Sequence, residues 1–308
     1  MSKSSSKQPV GSSGHDFLPC VVVLFIHCGN RLNWRVANLQ IRSVESLDAP
    51  ELAPYRTLKR VKEHEQAGIV VATNAKVVRR LFASQFPIVN ALLTPEWLQR
   101  FEPELRARPE QICVFVAEKE LLETITGYQL HQGALAIARI PAKPCFETLF
   151  DTSPRPLLLA AVEGIANAEN LGALVRNCAA FGVHFLIVGE TCCSPYQRRA
   201  VSGAMGTIFE QPVVQVDNLV QRLKELRGRG VRCLAAHPGV GSRRLAEADL
   251  RGDCCLVFGA EGPGLTSTVL SACDDTVEIP MPSHMNSLNV ASATAVFLYE
   301  ATRQRVLL

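Results

Sequence analysis

At 308 residues, with a hydrophobic share of 47% and a charged share of 20%, the chain has the make-up of a folded protein of about two domains, which excludes a disordered, collagen-like or repetitive chain. Lys and Arg total 32 against 29 Asp and Glu, a formal charge of +3, so a nucleic-acid partner has to be met by local patches of charge, not a general basic coat. The 11 cysteines include no C-x-x-C pair and are odd in number, which excludes a zinc ribbon and a complete disulfide framework and points to a reducing, cytoplasmic setting.

The N-terminal stretch MSKSSSKQPVGSSG is small, polar and low in complexity, and reads as disordered. LPCVVVLFIHC, residues 18–28, is well short of the ~20 apolar residues of a membrane span, and no A-x-A cleavage site follows it. It reads as a buried strand or as part of an extension, residues 1–45, outside the folded unit. A first α/β block, 46–140, opens on the basic, helix-compatible LAPYRTLKRVKEHEQAG and the strand GIVVAT at 68–73. AKVVRRLFASQF, 75–86, places Val77, Val78, Leu81 and Phe82 at helical spacing around Arg79 and Arg80. Strands follow at IVNALLT, ICVFVA and GALAIARI, with helices at TPEWLQRFEPELRA and KELLETITG between them.

Pro141, Pro144, Pro154 and Pro156 mark a linker over 141–156. The second block, 157–308, alternates strand and helix throughout: PLLLAAVEG, a helix around NLGALVRNCAAFG, VHFLIVGE, SPYQRRAVSGAMG, FEQPVVQV, DNLVQRLKELRGRG, VRCLAAH, CCLVFGA, TSTVLSACD, TVEIPM and the helix NVASATAVFLYEATRQRV. Such alternation predicts a parallel sheet with helices on both faces, and CCLVFGA has the unbroken apolar run of a strand covered on both sides.

Three stretches of the second block are specialised. In NLGALVR, Asn170 is placed to cap a helix, Gly172 to allow a close backbone approach, and Arg176 to project further along. GAEGPG, 259–264, follows a strand at the sheet edge where ligands bind in open parallel sheets, and it carries Glu261. It is not a G-x-G-x-x-G dinucleotide fingerprint, and the chain has no phosphate-binding G-x-x-x-x-G-K-[ST] loop. In IPMPSHMNSLNVASA, Ser287 and Asn289 open a long apolar helix, and the backbone from Ile279 to Leu288 is suited to clasp an uncharged, partly apolar ligand such as adenosine. His131, His184, His237 and His284 have no spacing that calls for a metal or a triad, and the G-x-S-x-G hydrolase elbow is absent.

Taken in order, N-L-G-A-L-V-R, F-G-A-E-G-P-G-L and I-P-M…N-S-L-N-V-A-S-A resemble the SpoU (TrmH-type) RNA 2′-O-ribose methyltransferases of the SPOUT superfamily, over residues 157–304. The first block is similar to the substrate-binding domain often found ahead of them, although Thr73-Asn74-Ala75 stands where many relatives carry an acidic E-G turn. The resemblance implies a parallel α/β sheet with a C-terminal trefoil knot, preceded by a smaller α/β RNA-binding domain at 46–140. It also implies S-adenosylmethionine as cofactor, a homodimer, and a cytoplasmic protein with no membrane and no metal. By motif position, Gly259, Ile279, Met281 and Leu288 would line the cofactor, and Asn170, Arg176, Glu261, Ser287 and Asn289 would form the reaction site, with Arg176 positioned by Glu261 and Asn289.

Arg198, Arg199, Arg79 and Arg80 are the cations placed to meet RNA. A ribose 2′-hydroxyl is a poor nucleophile, so the chemistry calls for a general base or for charge stabilisation, and arginine, always protonated, suits the second role. Ribosomal RNA is the favoured substrate, with transfer RNA as the alternative. The competing reading is a noncatalytic RNA-binding or ribosome-assembly protein on the same fold.

Overall fold

The computed structural model describes residues 24–27, 32–36, 38–126, 133–239, 241–282, 285 and 287–306. The disorder expected of the first residues and the readings of His131 and His284 fall outside these. In chain order the first sheet uses β1 (Leu24–His27), β2 (Leu32–Val36), β3 (Leu39–Ser43), β4 (Ile69–Thr73), β5 (Ile88–Leu93), β6 (Ile112–Val116) and β7 (Ala134–Arg139). Its helices are α1 (Ala53–Arg56), α2 (Val61–Gln66), α3 (Ala75–Ala83), α4 (Pro95–Arg106) and α5 (Lys119–Thr126). The spatial order β1-β2-β3-β6-β5-β7-β4 is mixed: β3, β6 and β5 run parallel, and the pairs at either end are antiparallel. As the spacing predicts, α3 buries Val77, Val78, Leu81 and Phe82, and Asn74 caps it by accepting from the Val77 amide at 3.1 Å.

Leu24–His27, Leu32–Val36 and Leu39–Ser43, within the stretch expected as an extension outside the folded unit, supply three strands of this sheet. Leu39 and Ile41 are buried, and β3 runs alongside β6 from Leu39↔Ile112 to Ser43↔Val116. Leu-Gln-Ile-Arg-Ser offers only two inward apolar positions, too few for a pattern to stand out from a polar loop. The proline-marked linker also holds an element: α6 (Phe146–Thr152) buries Phe146 and Phe150. Prolines bracket it without entering it, so its seven residues are free to coil.

The second sheet uses β8 (Leu158–Val162), β9 (Phe185–Val188), β10 (Val213–Gln215), β11 (Arg232–Ala236), β12 (Arg243–Arg244), β13 (Cys254–Phe258) and β14 (Asp275–Glu278). Every neighbouring pair in the order β10-β9-β8-β13-β11-β14-β12 is parallel, as expected. The helices are α7 (Ala168–Ala180), α8 (Arg198–Gly203), α9 (Leu219–Gly228), α10 (Ser267–Ala272) and α11 (Val290–Val306). Strand residues alternate between two cores. Leu158, Ala160 and Val162 pack with α7, α8 and α11, whereas Leu159 and Ala161 pack with α6, α9 and α10. Gly172 of α7 lies against the Ala200 carbonyl of α8 and the amide of Ala204, which follows it, so near that a Cβ would collide with that backbone.

The first of these cores is continuous with one face of the first sheet. At the joint, Phe86 packs edge-on to Phe209 with centroids 5.1 Å apart, and lies 6.0 Å from Tyr196. Arg80 Nη1 donates to the Met205 carbonyl at 3.1 Å, and Gln197 Nε2 to Glu65 Oε1 at 3.2 Å. At the far end, Arg305 of α11 donates to the carbonyls of Leu250, Pro156, Leu157 and Gly252 at 2.6–2.9 Å, which ties α11 to the chain entering β8 and β13. Replacement by alanine leaves these acceptors without their donor. Arg305→Ala is expected to lower unfolding free energy by about 3 kcal/mol, read from urea denaturation midpoints.

His64, beside the joint, sits 3.1 Å from Thr57 Oγ1 through Nε2. Burial, reinforced by the Arg198 charge, holds its pKa below the ordinary histidine range despite an opposing pull from Glu63. A histidine with a depressed folded pKa takes up its proton more readily when unfolded. Stability is therefore untouched above the unfolded pKa of about 6.5, falls as pH drops below it, and levels off under the folded value. His64→Gln is expected to flatten that fall, measured as denaturation midpoints from about pH 7 to about pH 5.

Candidate active site

The carboxyl ends of β13, β11 and β14 surround a cavity of about 190 Å³. Its apolar lining comes from Phe258, Ile279, Met281, Leu288 and Phe297, and its polar lining includes His237, Glu261, Glu278 and Ser287. One wall is the bend from Gly259 to Gly264, where the Gly264 amide donates to the Ala260 carbonyl at 3.0 Å. The bend folds back so tightly that a Cβ on Gly259 would run into the backbone of Gly264 and Leu265. Gly259 is thus fixed by the shape of the loop as well as by its place on the cavity wall.

Asn289 joins this bend to α7. Its Oδ1 accepts from the amides of Ala291 at 3.0 Å and Ser292 at 3.3 Å, which caps α11. With Oδ1 committed, Nδ2 points across the site, donating to Glu261 Oε1 at 2.5 Å and to Asn170 Oδ1 at 3.1 Å. Three residues from three separate motifs therefore meet on one amide. One heptad along the same face of α7, Asn177 Nδ2 donates to the Ala291 carbonyl at 2.7 Å and holds the first turn of α11 at that register.

Two sequence expectations need correction. Asn170 does not cap α7: Asn167 does, accepting from the amides of Glu169 at 2.8 Å and Asn170 at 3.2 Å, because the helix begins one turn earlier than the motif. Arg176 is exposed and bonds to neither Glu261 nor Asn289. Six residues beyond Asn170 it lies about 120° round the helix from the face that meets Asn289. Among the described residues it has no ion-pair or hydrogen-bond partner.

The four expected RNA cations separate. Arg79 pairs with Glu104 at 3.3 Å and lies over the Phe101 ring, and Arg80 is spent on the joint. Arg198 is half-buried there with its Nε lacking any acceptor, and only Arg199 is exposed and unpartnered among the described residues. Sequence reasoning passed over His237, which lines the cavity, and Asn177. An asparagine inside an apolar helix face was the available signal for the latter. His184 is structural, its Nδ1 accepting from the Leu158 amide at 3.0 Å.

Comparison with known proteins decides the family. The sequence profile of the SpoU rRNA methylase family matches residues 157–299. A tRNA/rRNA methyltransferase of Mycobacterium bovis, described as uncharacterized, is 31% identical over 272 residues, covering 86% of this chain and 93% of the relative. This chain belongs to the SpoU rRNA methylase family. The 23S rRNA (guanosine-2′-O-)-methyltransferase RlmB of Xanthomonas campestris is 35% identical over 208 residues, 67% of this chain and 83% of that protein. In fold, the AdoMet-bound rRNA methyltransferase from Sinorhizobium meliloti superposes with a TM-score of 0.74 at 24% identity, covering 85% of this chain and 98% of the other. AviRb from Streptomyces viridochromogenes gives 0.71 at 22% identity, covering 83% and 97%. In this SpoU-family RNA methyltransferase, the three specialised stretches of the second block lie around one asparagine amide and one cavity.

The two ends of that amide separate by mutation. Asn289→Ala is expected to cost about 1 kcal/mol of stability through the lost cap, and Asn289→Ser to recover most of it, since a serine hydroxyl still caps a helix. Thermal unfolding of the two variants checks this.

Proposed function

We propose that this enzyme transfers a methyl group from S-adenosylmethionine to a ribose 2′-hydroxyl of ribosomal RNA. The observation that carries the reading is the meeting of Asn170, Glu261 and Asn289 at the edge of a glycine-walled cavity, in a SpoU-family chain. The relative named for guanosine 2′-O-methylation of 23S rRNA favours ribosomal RNA over transfer RNA.

The cavity fits the cofactor in chemistry. Ile279, Met281 and Leu288 offer apolar walls to an adenine ring, the bend after Gly259 forms a further wall, and the carboxylates of Glu261 and Glu278 suit a cation. When bound, S-adenosylmethionine supplies an electrophilic methyl group on a sulfonium. The protein's part is to present the hydroxyl. Arg176 engages the substrate phosphate and stabilises negative charge growing on the 2′-oxygen, a role open to a side chain that stays protonated. Asn289 and Asn170 fix the Glu261 carboxylate as an acceptor, and Ser287 supplies a further hydroxyl at the cavity wall. The C-terminal segment forms the family's trefoil knot in this reading, and the first sheet with its helices is the RNA-binding domain.

A second copy completes the site. On α11, Ser292, Val296, Tyr299 and Arg303 form an exposed stripe at helical spacing, with Val296 41% and Tyr299 58% exposed. Beside it, α7 exposes Arg176 and Ala180. Pairing through this face covers the apolar stripe and carries Arg176 toward the partner's cavity. A reducing, cytoplasmic setting suits the described cysteines, all of which are free. No helix among the described residues is long and apolar enough to cross a membrane.

Labelled methyl transfer to fractionated ribosomal and transfer RNA tests the reading. Wild type is expected to label ribosomal RNA, and Arg176→Ala and the stable Asn289→Ser to fall by about 100-fold or more. Full transfer by Arg176→Ala, or label in transfer RNA alone, overturns the assignment. Tyr299→Glu is expected to convert a dimer to a monomer in sedimentation and to lose transfer with it.

A further inference from the structure

At the joint between the two sheets lies a second, more polar cavity of about 450 Å³, separate from the one beside Asn289. That volume falls in the range of small-molecule sites, about 300–1,000 Å³. We propose that this crevice receives an unstacked nucleotide of the substrate RNA, next to the one that is methylated. The proposal rests on the RNA-methyltransferase reading and adds a substrate subsite to it.

Three observations support it. First, its walls have the chemistry that reads single-stranded RNA. Tyr196, Pro141 and Pro144 of the linker line it with surfaces on which a flat base can stack, and Gln215 adds an amide, while the Gln197 amide is held by Glu65, which shares the wall. Second, positive charge there lacks partners. Lys143 lines the crevice, exposed and with no ion pair among the described residues. Arg198 lines a narrow cleft that shares Glu65, Ile140, Tyr196 and Gln197 with the crevice, and its buried Nε has no acceptor. A buried donor on a charged group is costly to leave unmet, but the cleft beside Arg198, about 10 Å³, holds no more than a water, so the cation open to RNA in the crevice itself is Lys143.

Third, the crevice is wired to the reaction site. Its wall includes Cys192 and Cys193, in the loop after β9. The Ile165 amide donates to Cys192 Sγ at 3.4 Å, and the Cys193 amide donates to the Ile165 carbonyl at 2.9 Å. Ile165 lies in the turn that leads into α7, five residues before Asn170. In the sheet only β8 stands between β9, whose following loop lines the crevice, and β13, whose following bend carries Glu261, so these two strands run roughly 10 Å apart at the usual spacing. Burial keeps both thiols protonated, Cys193 pushed up to about 11, so they serve as wall and hydrogen-bonding groups.

The test uses the full chain with S-adenosylmethionine and ribosomal RNA transcribed with 4-thiouridine. After irradiation, cross-linked peptides are mapped, and methyl transfer to the same RNA is measured for wild type, Lys143→Ala and the crevice-filling Gln215→Trp. The expected result is a cross-link to the peptide holding Tyr196 to Arg198. With it, the RNA KM should rise about tenfold in Gln215→Trp, less in Lys143→Ala, while cofactor affinity is unchanged. Lys143→Ala keeps the test informative if Gln215→Trp does not fold, since its side chain is exposed. Cross-links confined to other peptides, with an unchanged RNA KM in both variants, overturn the subsite while leaving the methyltransferase reading intact. A wild type that neither transfers methyl nor cross-links overturns both. Protection of the crevice by a bound protein, with no RNA cross-link, also overturns it.

Discussion

One carboxamide governs the geometry of the site. Because Asn289 Oδ1 is taken by the first turn of α11, its Nδ2 has a single direction left, and Glu261 and Asn170 must both lie along it. Everything that sets the height of α11 against α7 therefore sets the distance between groups far apart in sequence. The Asn177 bond to the Ala291 carbonyl does so near the site, and the Arg305 contacts do so at the opposite end of the helix. The buried Phe297 and Leu298 fill the span between.

Much of this was legible in the sequence. The second sheet's alternation is strong because both faces of each strand are buried, so apolar runs such as Cys254–Phe258 have no competing interpretation. The three motifs name Asn170, Glu261 and Asn289 together, and the structure brings these three side chains within hydrogen-bonding distance of one amide. Asn167 was harder to see as the cap because several side chains near a helix start can cap it, and only the observed first turn chooses among them. The strand β3 was lost for a different reason: only Leu39 and Ile41 of its five residues are fully buried, which makes its pattern resemble a loop.

Charge was the least legible property. Arg79, Arg80, Arg198 and Arg199 look alike in sequence, as paired cations on two helices. In three dimensions each has a different fate: an ion pair over an aromatic ring, a bond across the joint, a half-buried position with an unmet donor, and free exposure. A cation's neighbours belong to tertiary structure, and helical spacing carries no information about an element that arrives from elsewhere in the chain. The same limit hid the cavity-lining His237, whose importance comes from the parallel strands beside it.

The placement of α11 also has a consequence for the timing of synthesis. Asn289 stands at one end of this helix and Arg305 near the other, and the helix is the last described element to leave a ribosome. The strands, the glycine bend and α7 emerge earlier, and the amide that gathers Glu261 and Asn170 arrives only with the start of α11. A chain lacking Asn289 and α11 would keep the strands, the glycine bend and α7 but lose the amide that joins Glu261 to Asn170.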